Sequence, residues 1–160
     1  MHYYIFLGYG MVVICMAIQC VLVSLLLKGF YAFERKHPIE ASIALISTFL
    51  FAVLLVLFAG NLLQVGLWSW LFVALGEFTD LGTLYYHSLV NFTTLGYGDM
   101  VMKGHFRIFG ALEAANGVLM LGLTTSVLFS AVNGIMRRRM QWHENNHALP
   151  GEPGTRQENP

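Results

Sequence analysis

Three long stretches without a charged side chain decide what this chain can become. No Asp, Glu, Lys or Arg occurs from His2 to Leu27 or from Ala41 to Gly76, and only Glu113 lies between Arg107 and Arg137. A helix crosses the hydrocarbon core of a bilayer in about 20 apolar residues, so each stretch is long enough to span. Of the 160 residues, 56% are apolar and 11% charged, and a soluble domain of this size needs a far larger charged shell. The expected fold class is an all-α membrane protein with three transmembrane helices. The first stretch does not read as a cleaved leader: it lacks a basic lead, its apolar run is too long, and no small-residue cleavage site follows.

The formal net charge is zero, which leaves no electrostatic case for a nucleic-acid partner. The distribution of basic residues is more telling. Lys28, Arg35 and Lys36 lie between the first two stretches, and Arg137, Arg138, Arg139 and Arg156 follow the last. Between the second and last stretches stand only Lys103 and Arg107, beside Glu77, Asp80 and Asp99. The positive-inside bias then puts the N-terminus outside and the 28–38 loop and C-terminus in the cytoplasm of a cell with an integral plasma (inner) membrane protein. Region 77–107 faces outward. Cys15 and Cys20 lie on different faces of one helix and are not expected to bridge.

The expected organisation is an N-terminal helix over 1–27, a cytoplasmic loop over 28–38, a pore domain over 39–136 and a disordered polar tail over 137–160. Within the pore domain, the long apolar stretch 39–76 is an outer helix. At 1.5 Å per residue it would measure about 55 Å, well over the hydrocarbon thickness. A tilt or a kink near Gly60-Asn61, Gln64 and Gly66 would absorb the excess, with Trp68 and Trp70 as interfacial anchors. A short helix over 81–93 follows, with Asp80 as its N-cap. Too short to span, and followed by a glycine-rich loop at 94–99, it reads as re-entrant. An inner helix over 105–136 completes the domain.

The loop is Thr93-Thr94-Leu95-Gly96-Tyr97-Gly98-Asp99. An extended chain alternates its carbonyls, so aiming consecutive carbonyls at one axis requires every second residue to turn left-handed, which glycine does without penalty. Gly96 and Gly98 alternate with Leu95 and Tyr97 in that way. A column of such carbonyls replaces the water shell of a dehydrated cation, and four consecutive residues supply the ligands of a K+ path. The expected ligands are the carbonyls of Thr94, Leu95, Gly96 and Tyr97, with the Thr94 hydroxyl at the inner mouth. Leu95 and Tyr97 would point their side chains back into the protein as struts, Gly98 completes the alternation, and Asp99 caps the outer end. The short helix aims the negative end of its dipole at the cavity below. The sequence has no internal repeat, so each chain supplies one loop and a closed ring needs several copies.

Leu81 to Met136 resembles the pore domain of the potassium channel superfamily, in particular the small prokaryotic channels, with one extra N-terminal helix. The resemblance rests on the filter loop, the preceding short helix and the glycine-bearing helix after it. It implies a homotetrameric pore passing K+, with no cofactor beyond the permeant ion. It also implies that Gly117 stands at the family's hinge position, with Gly122 as a second glycine. Val118, Leu121 and Thr125 would then line the cavity, and Phe129 would lie near a cytoplasmic constriction able to gate by dewetting. For both glycines, close helix packing is the competing explanation.

Some residues depart from the family pattern. Leu95 replaces the usual valine or isoleucine. Tyr86-His87 stand where two aromatic residues, often tryptophans, are common; Tyr86 is placed to hydrogen-bond Asp99, and His87 serves either packing or proton sensing. Glu113, inside an apolar helix, must be paired, neutral or beside water. It either braces the short helix near Ser88 and Asn91 or tunes ion attraction and pH response. Arg137, Arg138 and Arg139 serve as topological anchors or as contacts for anionic lipid headgroups. No nucleophile–base pair, metal-ligand cluster or arginine-studded voltage-sensing helix stands out, so an enzyme is not expected. The competing functions are a weakly selective monovalent cation channel and an accessory pore subunit.

Overall fold

The computed structural model describes residues 2–36, 43–76, 80–102 and 104–147. The described residues form α1 (His2–Lys36), α2 (Ile43–Ala74), α3 (Leu81–Phe92), a 3-10 turn at Gly104–Phe106 and α4 (Arg107–His147). Three helices are long and apolar enough to cross a membrane, over Tyr3–Ala32, Ala44–Ala74 and Gly104–Arg137. The chain is thus an all-α, multi-pass membrane protein.

Two boundaries differ from expectation. Residues 28–36, expected as a loop, continue α1; they hold good helix formers, and the first proline is Pro38. Residues 137–147, expected to be disordered, continue α4, because no glycine or proline interrupts the run between Met136 and Pro150. The apolar stretch over 43–74 is one unbroken helix through Gly60 and Gly66, about 48 Å long. The expected starts of that stretch, 39–42, and the acidic 77–79 lie outside the described residues, as do 37–38, 103 and the tail beyond 147.

Trp68 is a further correction. It is fully buried, whereas Trp70 is exposed. Successive side chains turn through about 100° around a helix, so residues two apart fall on nearly opposite sides. Trp68 joins Met11 and Cys15 of α1, Leu71 and Phe72 of α2, Leu84 of α3, Met102 of the segment before α4, and Phe109 of α4 in the main core. This cluster gathers near the N-terminal ends of α1 and α4 and clasps the short helix α3. A second cluster of Val65, Phe92 and Met120 closes beneath the end of α3.

The extra helix α1 runs parallel to α4, in register along its length. A methyl group on Gly8 would strike Leu112, Gln19 reaches Thr124 at 3.4 Å, and a methyl group on Gly134 would lie 3.1 Å from Phe30. Gly60 of α2 is equally close against Leu22. Lipid tails are as apolar as leucine, so helices in a bilayer adhere by close packing and interhelical hydrogen bonds, and small residues permit both.

Candidate functional site

The site is built on α3. Asp80 caps its N-terminus, accepting from the Thr83 amide at 2.8 Å and the Thr83 hydroxyl at 2.7 Å. These bonds hold the Asp80 carboxyl below its ordinary range. At the other end the chain leaves the helix in a tight sequence of main-chain bonds. The Thr94 amide donates to Asn91 at 2.8 Å, and the Leu95 amide donates to Val90 at 3.0 Å. The Thr93 hydroxyl turns back to the Leu89 carbonyl at 2.7 Å.

Beyond this exit the backbone alternates. Thr94, Gly96 and Gly98 have φ of 59°, 56° and 75°, while Leu95 and Tyr97 between them remain at negative φ. Two of the three left-handed positions are glycine, as the sequence pattern requires. Thr94 is the exception, and a β-branched residue there is a backbone outlier. Nothing in the sequence signals it, since threonine is chosen for its hydroxyl and not for its backbone preference.

Asp99 is tied to α3 from the far side of the loop. Its Oδ2 accepts from the Tyr86 hydroxyl at 3.0 Å, and its Oδ1 accepts from the Met100 amide at 3.1 Å. The Asp99 carboxylate, by accepting that proton in a hydrogen bond, raises the Tyr86 phenol above its ordinary value. Leu95 and Tyr97, expected as buried struts, are 54% and 67% exposed. The chain's own residues do not cover them.

Behind α3 lies Glu113, wholly buried on α4. Its carboxylate accepts from the Ser88 hydroxyl and, at 3.2 Å, from the Asn91 amide, whose nitrogen also lies 3.1 Å from His87 Nε2. His87 is itself buried, edge-on to Phe72. One turn along, Gly117 meets the main chain: a methyl group on it would overlap the Phe92 carbonyl. Gly122 has open space around it. Val118, Leu121, Thr125 and Phe129 are all exposed on α4, Phe129 at 67%, and the Thr125 hydroxyl bonds back to the Leu121 carbonyl at 3.0 Å.

Sequence reasoning missed a second set of buried polar groups. The Gln64 amide donates to Gln19 at 2.9 Å, Asn116 donates to Gln64 at 3.4 Å, and Gln19 and Asn61 both reach the Thr124 hydroxyl at 3.4 Å. The three long helices are thereby cross-linked within their apolar spans. The signal was present: Asn61 and Gln64 stand three apart in an otherwise apolar stretch, hence on one helix face. Polar residues inside a span imply partners.

Residues 60–133 match the family described as "Ion channel". Over 73 residues, 45% of this chain, the sequence is 36% identical to the A-type voltage-gated potassium channel KCND3 of Rattus norvegicus, and equally to those of Oryctolagus cuniculus and Homo sapiens. The matched part is 10% of those relatives' length. No solved structure matches the chain.

Proposed function

We propose that the chain is a member of the potassium channel superfamily and the subunit of a homotetrameric channel that passes K+ selectively and passively across the plasma membrane. The observation that carries this reading is the alternation of backbone hand at Thr94, Gly96 and Gly98, which turns successive carbonyls toward one line. The carbonyls of Thr94, Leu95, Gly96 and Tyr97 and the Thr94 hydroxyl would hold the dehydrated K+. Thr93, Tyr86 and Asp99 support the loop through the bonds described above.

Assembly into a ring is supported by what one chain leaves uncovered. Tyr97, Val118 and Phe129 are each more than half exposed in the single chain. Copies related by a closed rotation would cover the filter struts and set Val118, Leu121, Thr125 and Phe129 around a common cavity. Gly117 then acts chiefly as a close-packing residue against Phe92, and Gly122 is the freer of the two glycines. Glu113 braces α3 through Ser88 and Asn91; its part in pH or ion tuning stands as the second role for that side chain. The orientation that fits the basic residues has the N-terminus outside and α4 ending in the cytoplasm, with Arg137, Arg138 and Arg139 at the anionic headgroups.

Purified protein in liposomes tests the reading. K+ flux at least tenfold above Na+ flux is expected. Equal fluxes would establish the weakly selective cation channel, which Leu95 in place of a β-branched strut favours. No flux in either direction would favour an accessory subunit or a closed gate.

A further inference from the structure

A cavity of about 390 Å³ lies between the extra helix and the pore domain, away from the filter. It is walled by Phe30 and Tyr31 of α1, Val53 of α2, and Ser126, Val127 and Ser130 of α4. Its volume is within the range of small-ligand sites. The same three helices are cross-linked by Gln19, Gln64 and Asn116 toward the N-terminal ends of α1 and α4, so the cavity lies in the half of the bundle that carries Lys28 and the arginines of α4. A void in a bilayer forfeits the packing contacts of its walls, and the nearest material able to restore them is an acyl chain.

Charge specifies which lipid. Lys28 stands on the turn of α1 that carries Tyr31, and it is exposed. Arg137, also exposed, lies two turns of α4 beyond Ser130, about 10 Å along the axis. Arg138 and Arg139 follow in the same helix. Basic residues therefore stand on both of these helices, Lys28 level with an apolar cavity that has hydroxyls at its wall and Arg137 two turns beyond it, in what is, in the orientation proposed above, the leaflet where anionic lipids collect.

We propose that this cavity binds one acyl chain of an anionic phospholipid whose phosphate is held by Lys28 and Arg137. The site exists because α1 is present: without it, Phe30 and Tyr31 are gone and the groove beside α4 is open. Ser126 and Ser130 bracket Phe129 on α4, so the bound chain contacts the turn that carries the proposed constriction. The proposal rests on the membrane orientation given above and not on ion selectivity.

The test uses the whole chain in phosphatidylcholine vesicles doped with phosphatidylglycerol or phosphatidylcholine bearing a diazirine on one acyl chain. Crosslinked residues are then mapped by mass spectrometry. Phosphatidylglycerol is expected to label peptides 23–31 and 126–131 at least fivefold more than phosphatidylcholine. Val127→Trp should cut that labelling fivefold, and Lys28→Gln with Arg137→Gln should abolish the preference for the anionic lipid. Label confined to other faces of the wild-type chain, or equal labelling by the two lipids, overturns the proposal. Because crosslinking on the wild type is read without ion flux, a failed flux experiment leaves this result standing.

Discussion

Gly117 of α4 lies so close to the main chain of Phe92 that any side chain on it would run into the Phe92 carbonyl. Phe92 ends the short helix two residues before Thr94, so this contact sets the depth at which the filter loop leaves its helix. Backbone, unlike a flexible side-chain end, has little room to yield. Gly117→Ala is expected to cost about 1–3 kcal/mol or more and to abolish K+ flux, while Gly122→Ala, which meets nothing, leaves flux within about twofold. Thermal unfolding of the detergent-solubilised protein and liposome flux check the pair.

The Glu113 carboxylate is the acceptor for both Ser88 and Asn91. Glutamine retains one acceptor and supplies one donor, which the rotatable Ser88 hydroxyl can accept. Leucine leaves the buried Ser88 hydroxyl without its acceptor, at about 1–3 kcal/mol, and takes one of two partners from the half-buried Asn91 amide. Glu113→Leu should therefore unfold at clearly lower temperature than Glu113→Gln. Conductance of Glu113→Gln across pH separates the two roles: a profile unchanged from wild type removes the titrating role and leaves the brace.

Thr94 holds a left-handed conformation at φ 59°, which costs an L-residue roughly 1–2 kcal/mol. Thr94→Gly relieves that strain but removes the hydroxyl, so it should assemble normally and lose K+ over Na+ preference by at least tenfold. Thr94→Ser keeps the hydroxyl and should stay within about threefold of wild type. Paired K+ and Na+ fluxes decide; a fully selective Thr94→Gly channel would show that the hydroxyl is not a ligand.

Tyr86 and Asp99 are joined across the loop at 3.0 Å. The bond needs the neutral phenol, whose ionisation is displaced upward by the neighbouring carboxylate. Its contribution is thus full below the ordinary tyrosine range and disappears only as pH rises through the higher folded value. Tyr86→Phe should lower steady K+ flux several-fold at pH 7, with no further loss on moving to pH 9.

The Asp80 cap responds at the acid end. Its carboxyl is held below its ordinary value by the Thr83 hydroxyl and amide. The stabilisation is complete above the unfolded value near 3.9 and is lost as pH falls through the lower folded one. Asp80→Ala should lower the unfolding midpoint at pH 7 by about 2–4 °C, and the difference from wild type should vanish well below pH 4.

Much of this arrangement was legible in the sequence because it depends on local chemistry. Charge-free stretches announce the spans, and Gly96 and Gly98 announce the alternation of the loop. Asp80 announces the start of α3. Features that depend on a distant partner were not legible. Trp68 looked like an interfacial anchor because its neighbours in α1 and α3 are invisible in one dimension. Gln64 and Asn61 looked like interruptions because their partners lie on α1 and α4. Lys28 to Lys36 looked like a loop because charge was read as solvent, although a helix can leave the membrane without ending. The backbone of Thr94 was hidden for a different reason: threonine has no preference for the left-handed region it occupies.

α4 runs unbroken from Arg107 to His147 and is pinned near one end, where Gly117 meets Phe92. That makes it a lever with unequal arms. About 15 Å of rod lies N-terminal to this fulcrum and about 45 Å C-terminal to it. A small tilt of the rod about this point, with α1 packed along it, therefore moves its C-terminal tip about three times as far sideways as its N-terminal end.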